Sequence, residues 1–169
     1  MRSRTARPED IDFVLAQETR SEFQNFIFSS SREQHQQYLD SQDYLYFIFL
    51  NDEIEAAIGY AILSGLTSPH GNICLVRIVM AKPGQGYGKQ ALRLLLDWVF
   101  KEYKAHRFWL DVFEDNQRAR HVYQSVGFRE EGLLREVVKQ QDKYASQVVM
   151  SILEQEYFNC EERGARGEE

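Results

Sequence analysis

The sequence predicts an α/β domain: a single mixed, mostly antiparallel sheet with a central parallel strand–helix–strand crossover and helices on both faces. Three observations carry this. Apolar runs at residues 44–50, 56–63 and 73–80 are separated by short polar stretches, so the early strands pair antiparallel. A Gly-rich loop then opens the broadest amphipathic segment, residues 89–104, and a strand follows at 107–113; such a crossover is parallel and right-handed. The chain has 169 residues, 43% hydrophobic and 27% charged, which suits one globular domain with a sizeable core.

The elements follow in order. Ile11, Val14, Leu15 and Glu18 recur at helical spacing behind Pro8, which predicts a helix over 9–19. Ser31 caps a polar helix over 31–41. The strands 44–50 and 56–63 meet at a hairpin turn of Asn51, Asp52 and Glu53. Along the first, Tyr44, Tyr46 and Ile48 face one way and Leu45, Phe47 and Phe49 the other, so both faces are covered by core. Residues 73–80 form a third strand rich in Ile, Leu and Val. Ala91, Leu92, Leu95, Trp98, Val99 and Tyr103 give the helix over 89–104 its apolar face. A strand at 107–113, a helix over 116–126 closed by Gly127, and a strand pair at 128–138 and 144–153 complete the domain. Residues 1–160 are read as the domain and 161–169 as a polar, fraying tail.

Composition excludes several classes. A net charge of −6 argues against nucleic-acid binding, which needs a surplus of Lys and Arg on one face. The longest apolar run, Tyr44–Leu50, is far short of the ~20 residues that span a bilayer. Arg2, Arg4 and Arg7 resemble the start of a secretion signal, but Glu9, Asp10 and Asp12 stand where its apolar segment belongs, so a cytoplasmic location is expected. Cys74 and Cys160, and His35, His70, His106 and His121, are too scattered to show a metal-ligand spacing.

Two motifs carry chemistry. The first is Lys82-Pro83-Gly84-Gln85-Gly86-Tyr87-Gly88-Lys89, between a strand and a helix. Glycines bring backbone close to a ligand, and the free N–H groups and dipole of the helix start favour phosphate. The P-loop pattern fails, because Pro83 stands where its first glycine belongs and Gln90 follows the lysine. The dinucleotide fingerprint fits Gly86 to Ala91, with Asp111 ~20 residues on. Against it, Ala81 to Gln85 lengthen the turn, and too little chain follows Asp111 for the second half of a doubly wound fold. The second motif runs from Asn116 to Phe128. Asn116, Ala119 or Arg120, and Tyr123 line one helix face: an amide, a gap for a ligand at Ala119, and a hydroxyl of reference pKa about 10. Taken alone, Asn116 reads equally well as an N-cap and Tyr123 as core.

Asn116, Ala119, Tyr123, Gly127 and Phe128 match Asn-x-x-Ala-x-x-x-Tyr-x-x-x-Gly-Phe without exception. Gly86 and Gly88 match the end of Arg/Gln-x-x-Gly-x-Gly/Ala, whose first position here is Pro83. On these residues the chain resembles the GCN5-related N-acetyltransferase (GNAT) superfamily over about residues 5–155, and more narrowly its ribosomal-protein alanine N-acetyltransferase branch. The resemblance implies acetyl-CoA as acetyl donor, with its pantetheine arm along Ile78, Val79 and Met80 in a gap between strands 73–80 and 107–113. Backbone N–H groups of Gln85, Gly86, Tyr87, Gly88 and Lys89 would hold the pyrophosphate, either alone or with Gln85 or Lys82 standing in for the residue missing at Pro83. Asn116 would contact pantetheine beside Ala119, and Tyr123 would protonate the leaving thiolate.

The acceptor implied is a primary amine, which attacks directly in a ternary complex; neither cysteine sits in a Cys–His signature. At pH 7, freeing a lysine-like amine costs about 4–5 kcal/mol and an α-amine about 1 kcal/mol. Family members often carry an acid on the strand before the loop, and residues 73–80 contain none, which favours a protein or peptide α-amine. Asp111, Glu114 or a held water remain as base, the N–H of Val79 or Met80 as oxyanion donor, and Arg77 as either a substrate-facing or an ion-paired residue. A homodimer, a non-catalytic acyl-CoA-binding relative and a dinucleotide-dependent oxidoreductase are the remaining expectations.

Overall fold

The computed structural model describes residues 1–23 and 26–166. Strand β1 (Arg2–Thr5) leads through a single 3₁₀ turn into helix α1 (Ile11–Glu18) and then α2 (Arg32–Asp40). Strands β2 (Tyr44–Leu50), β3 (Ala57–Ser64) and β4 (Asn72–Met80) follow as a meander. Helix α3 (Tyr87–Asp97), β5 (Arg107–Phe113), α4 (Gln117–Gln124), β6 (Arg129–Gln140), β7 (Lys143–Leu153) and α5 (Glu154–Arg166) complete the order. The seven strands form one sheet, β1-β2-β3-β4-β5-β7-β6. β4 and β5 run parallel and every other neighbouring pair is antiparallel. That is the predicted architecture, and it excludes the doubly wound parallel sheet of a dinucleotide-binding domain.

The alternation read along β2 separates two cores. Phe47 and Phe49 join Leu92, Leu95, Phe108 and Phe128 under α3. Tyr46 and Ile48 join Val14, Tyr60, Ile62 and Val79 under α1 and α2. The second core also encloses two ionisable side chains, Glu18 and His35, both essentially without solvent contact.

Three elements depart from the sequence reading. β1 has no apolar alternation because it is an edge strand: main-chain pairing to β2 holds it, and Arg4 makes a two-pronged bond to Asp10 at 2.7 and 2.8 Å. The helix expected to reach residue 104 stops being α-helical at Asp97 and widens into a π-turn, Trp98–Glu102, closed by Tyr103 N–H on the Trp98 carbonyl at 2.8 Å. The tail expected from 161 begins inside α5. Its Tyr157 is buried against Phe100 with ring centroids 5.0 Å apart, and Lys101 bonds Glu161 at 3.0 Å. Residues 167–169 lie outside the described residues.

Candidate active site

β4 and β5 pair at only three positions, Asn72–Arg107, Ile73–Phe108 and Cys74–Trp109, and then diverge. The cause lies in β4. Its register on β3 slips between Leu75 and Arg77, leaving Val76 as an extra residue, and such a bulge bends its strand. β5 stays on β7 as far as Phe113, so the gap opens on the other side, toward β4. The resulting cleft holds about 730 Å³, the size of a small-molecule site.

On the α3 face the glycine loop and α4 form the cleft wall. Gly84 and Gly86 have φ of 88° and 77°, so the loop needs glycine at both, and Gly86 caps α3. A Cβ on Gly86 or Gly88 would meet nothing within 4 Å, which leaves room for a ligand against bare backbone at the helix start. A Cβ on Gly84 would lie 3.5 Å from Arg118 Nη2, so α4 aims a guanidinium at this loop. Lys82 and Lys89 also line it. The donor set suits a nucleotide diphosphate and so fits coenzyme A.

Asn116 is the N-cap of α4, its Oδ1 accepting the Ala119 N–H at 3.2 Å. The cap role and the cleft position coexist: Oδ1 holds the cap while the residue also lines the cleft. Gly127, at φ 107°, lets Phe128 N–H return to the Tyr123 carbonyl at 3.1 Å, which fixes the end of the helix. Tyr123 packs against Phe128 with ring centroids 5.8 Å apart and lines the cleft. Burial, with help from the Asp111 charge, pushes its hydroxyl up to about 12.

Asp111 sits across the gap. Alternation along β5 sends Phe108, Leu110 and Val112 into the α3 core, so Asp111 and Phe113 face the α1/α2 side. Asp111 is solvent-exposed at the cleft and accepts from Gln147 Nε2 at 3.0 Å; partial desolvation between the strands raises its carboxyl above the ordinary aspartate value. The tyrosine and the carboxylate thus approach one opening from opposite faces of the sheet. Burial pushes the neighbouring Cys74 thiol up to about 12, which keeps it from acting as a thiolate.

Of the residues singled out from sequence, Ile78, Val79, Met80, Gly86, Gly88, Lys89, Asn116, Ala119 and Tyr123 come together around the cleft. Tyr87 packs on the α3 core and Gln85 is exposed on the loop. Both acids are exposed, but only Asp111 lines the cleft; the Glu114 carbonyl holds Arg120 at 2.8 Å. Arg77 is ion-paired, to Glu18. Sequence reasoning missed Arg118, whose only signal was a cation inside the second motif, and missed Phe26 and Phe28, which line the cleft from an irregular segment with no periodicity to read.

Comparison with known proteins agrees with this geometry. A family model described as the acetyltransferase (GNAT) family matches residues 13–128. The spermidine N(1)-acetyltransferase of Vibrio cholerae is 33% identical over 79 residues, 47% of this chain and 46% of that protein. The chain thus matches under half of that curated relative's length. A solved structure of spermidine N-acetyltransferase from Vibrio cholerae with CoA and spermine superposes with a TM-score of 0.84 at 22% identity, covering 94% of this chain and 98% of that one. A dodecameric structure of that enzyme gives 0.81 at 23% identity, covering 94% and 96%.

Proposed function

Because the chain belongs to the acetyltransferase (GNAT) family, we propose that it transfers an acetyl group from acetyl-CoA to a primary amine by direct attack in a ternary complex. The observation that carries this is the divergence of β4 from β5, with Tyr123 at one mouth of the opening and Asp111 at the other. When bound, acetyl-CoA supplies an activated acyl thioester. Main-chain N–H groups at Gly86 to Lys89, with Arg118 and Lys82 beside them, hold the diphosphate. The open edge of β4 at Ile78 to Met80 accepts the pantetheine amides as a strand accepts a peptide. Asn116 orients that arm through its amide nitrogen.

Asp111 Oδ removes a proton from the incoming ammonium. Its raised pKa brings it closer to the working pH than an ordinary carboxylate, which is what a general base needs. Tyr123 Oη donates its proton to the sulfur as the C–S bond breaks; with its hydroxyl pushed up to about 12, it is protonated at the working pH and so available as that donor.

We take the acceptor to be a polyamine rather than the protein or peptide α-amine expected from sequence, and the relatives to be polyamine rather than ribosomal-protein acetyltransferases. The α-amine expectation rested on the lack of an acid on β4, and Asp111 on β5 fills that need from across the gap. The relatives named above act on spermidine, and the cleft offers a carboxylate at Asp111, a second at Glu22 that pairs with Arg20, and phenyl rings at Phe26, Phe28 and Phe113. Such a surface suits a chain of ammonium groups. Self-association belongs to the same proposal, since a structural neighbour forms a dodecamer; sedimentation checks it.

The test is an acetylation screen read by mass spectrometry, with spermidine, spermine, N-terminal peptides and lysine peptides. Polyamine product, with kcat reduced ~10²–10⁴-fold in Asp111→Asn and CoA affinity unchanged, supports the reading. Binding of CoA with no turnover of any amine overturns it in favour of a non-catalytic acyl-CoA-binding relative.

A further inference from the structure

Helix α1 ends on a carboxylate that no step above uses. Glu18 is 3% exposed, yet it is ionised and fully engaged. Tyr60 Oη donates to its Oε1 at 2.8 Å, His35 Nε2 to Oε2 at 3.2 Å, the Ser30 N–H to Oε2 at 3.0 Å, and Arg77 Nη1 to Oε1. Burial pushes this carboxyl up, but the bond from His35, the Arg77 charge, and the Ser30 and Tyr60 donors outweigh it and leave it below the usual value. A carboxylate only accepts, so His35 is assigned its proton at Nε2, and Nδ1 then accepts from the Tyr46 hydroxyl at 2.7 Å.

Burying an ion pair is a poor route to stability, since well-packed apolar side chains of the same volume do as well or better. This pair does something apolar side chains could not. Arg77 Nη2 also donates to the Phe28 carbonyl. The segment after α1 is therefore tied to the pair at two main-chain points, the carbonyl of residue 28 and the N–H of residue 30. Between those ties and the cleft stands Phe28, whose ring lies 6.2 Å from that of Phe113, with Phe26 at 6.4 Å. Both rings are substantially exposed, at 53% and 41%, so core burial does not fix them.

We propose that Glu18, oriented by His35 and acting through Arg77, positions the aromatic wall formed by Phe26 and Phe28 against Phe113, and so sets how tightly the amine acceptor is held. Glu18 and Arg77 are positioning residues on this view: they shape the acceptor end and leave the donor end alone. Arg77 belongs to β4, immediately after the Val76 bulge, so the strand that opens the donor gap also anchors the acceptor wall. The inference rests on the proposed function only for the identity of the acceptor.

Two variants test it, Glu18→Gln and Arg77→Lys. A lysine keeps the charge beside Glu18 but lacks the two-nitrogen fork that spans Glu18 and the Phe28 carbonyl. Expected are faster hydrogen exchange at the Ser30 amide, an acceptor KM raised about tenfold, and kcat and the CoA dissociation constant within about twofold of wild type. Arg77→Lys should show this with its melting temperature preserved, which separates positioning from plain loss of fold. An acceptor KM within about twofold of wild type, or parallel losses in CoA binding and acceptor binding, overturns the inference. If the wild type acetylates no amine, the proposed function fails by itself, and exchange at Ser30 alone decides whether the tie exists.

Discussion

The face of the sheet beneath α3 and the face beneath α1 and α2 are built on different principles. Under α3 lies an apolar core running from Phe47 on β2 to Tyr157 on α5. Under α1 and α2 a smaller apolar group encloses Glu18, His35 and the tyrosines 46 and 60. The first face is held by burial and close packing, which require no particular donor–acceptor angle. The second requires one, because each of its bonds has a donor, an acceptor and an angle. The larger face holds the molecule together, and the smaller one fixes where a few atoms stand.

Substitutions can break that contrast, and the largest effect belongs to the apolar face. Phe108→Ala removes a fully buried ring that packs on Phe128 and should cost about 3–5 kcal/mol in denaturant unfolding. Hydrogen exchange at the Ser30 amide, measured below the unfolding transition, should stay near wild type. Tyr46→Phe deletes one oxygen from the polar face and strands His35 Nδ1 in the interior, with an expected loss of about 1–3 kcal/mol. If that variant is as stable as wild type, the hydrogen bond from Tyr46 to His35 does not hold the network in place.

Acidification sharpens the same contrast. The Glu18 carboxyl lies below its usual value, so its stabilisation is complete above the unfolded pKa of about 4.3 and is lost as pH falls through the lower native value. Asp10, held down first by its bond from Arg4, behaves the same way below about 3.9. The urea midpoint should therefore fall as pH drops below about 4; Glu18→Gln should flatten that fall, and Phe108→Ala should leave its slope unchanged. The smallest effect is expected at Asn116→Ala, which removes the cap of α4 for about 1 kcal/mol and should weaken CoA binding more than its stability loss explains.

The same contrast explains what the sequence revealed. Elements that bury apolar side chains announce themselves by period: β2 and β5 have the limits expected, and the α3 face was legible from Ala91, Leu92 and Leu95. β1 was not, because an edge strand of Arg, Ser, Arg and Thr is held by main-chain bonds that leave no mark on side-chain pattern. The glycine loop and the Asn116–Tyr123 face were visible because their chemistry is local, packed into a few consecutive residues. Spacing put Glu18 on the apolar stripe of α1, but its meeting with His35 and Arg77, from α2 and β4, left no local signal. Asp111 was legible as a candidate, but its place on the cleft, which Glu114 lacks, follows from the strand's orientation across the gap.

The sheet is joined across its middle by only three register pairs, where β4 meets β5. Past Cys74 and Trp109 the two facing edges carry main-chain groups with no rung between them. A guest whose own amides supply those rungs would complete the ladder and lock β1–β4 to β5–β7 in the manner of a keystone in an arch. Cohesion between the two halves of the molecule would then rise with guest concentration, and a simple melting curve would double as a gauge of occupancy.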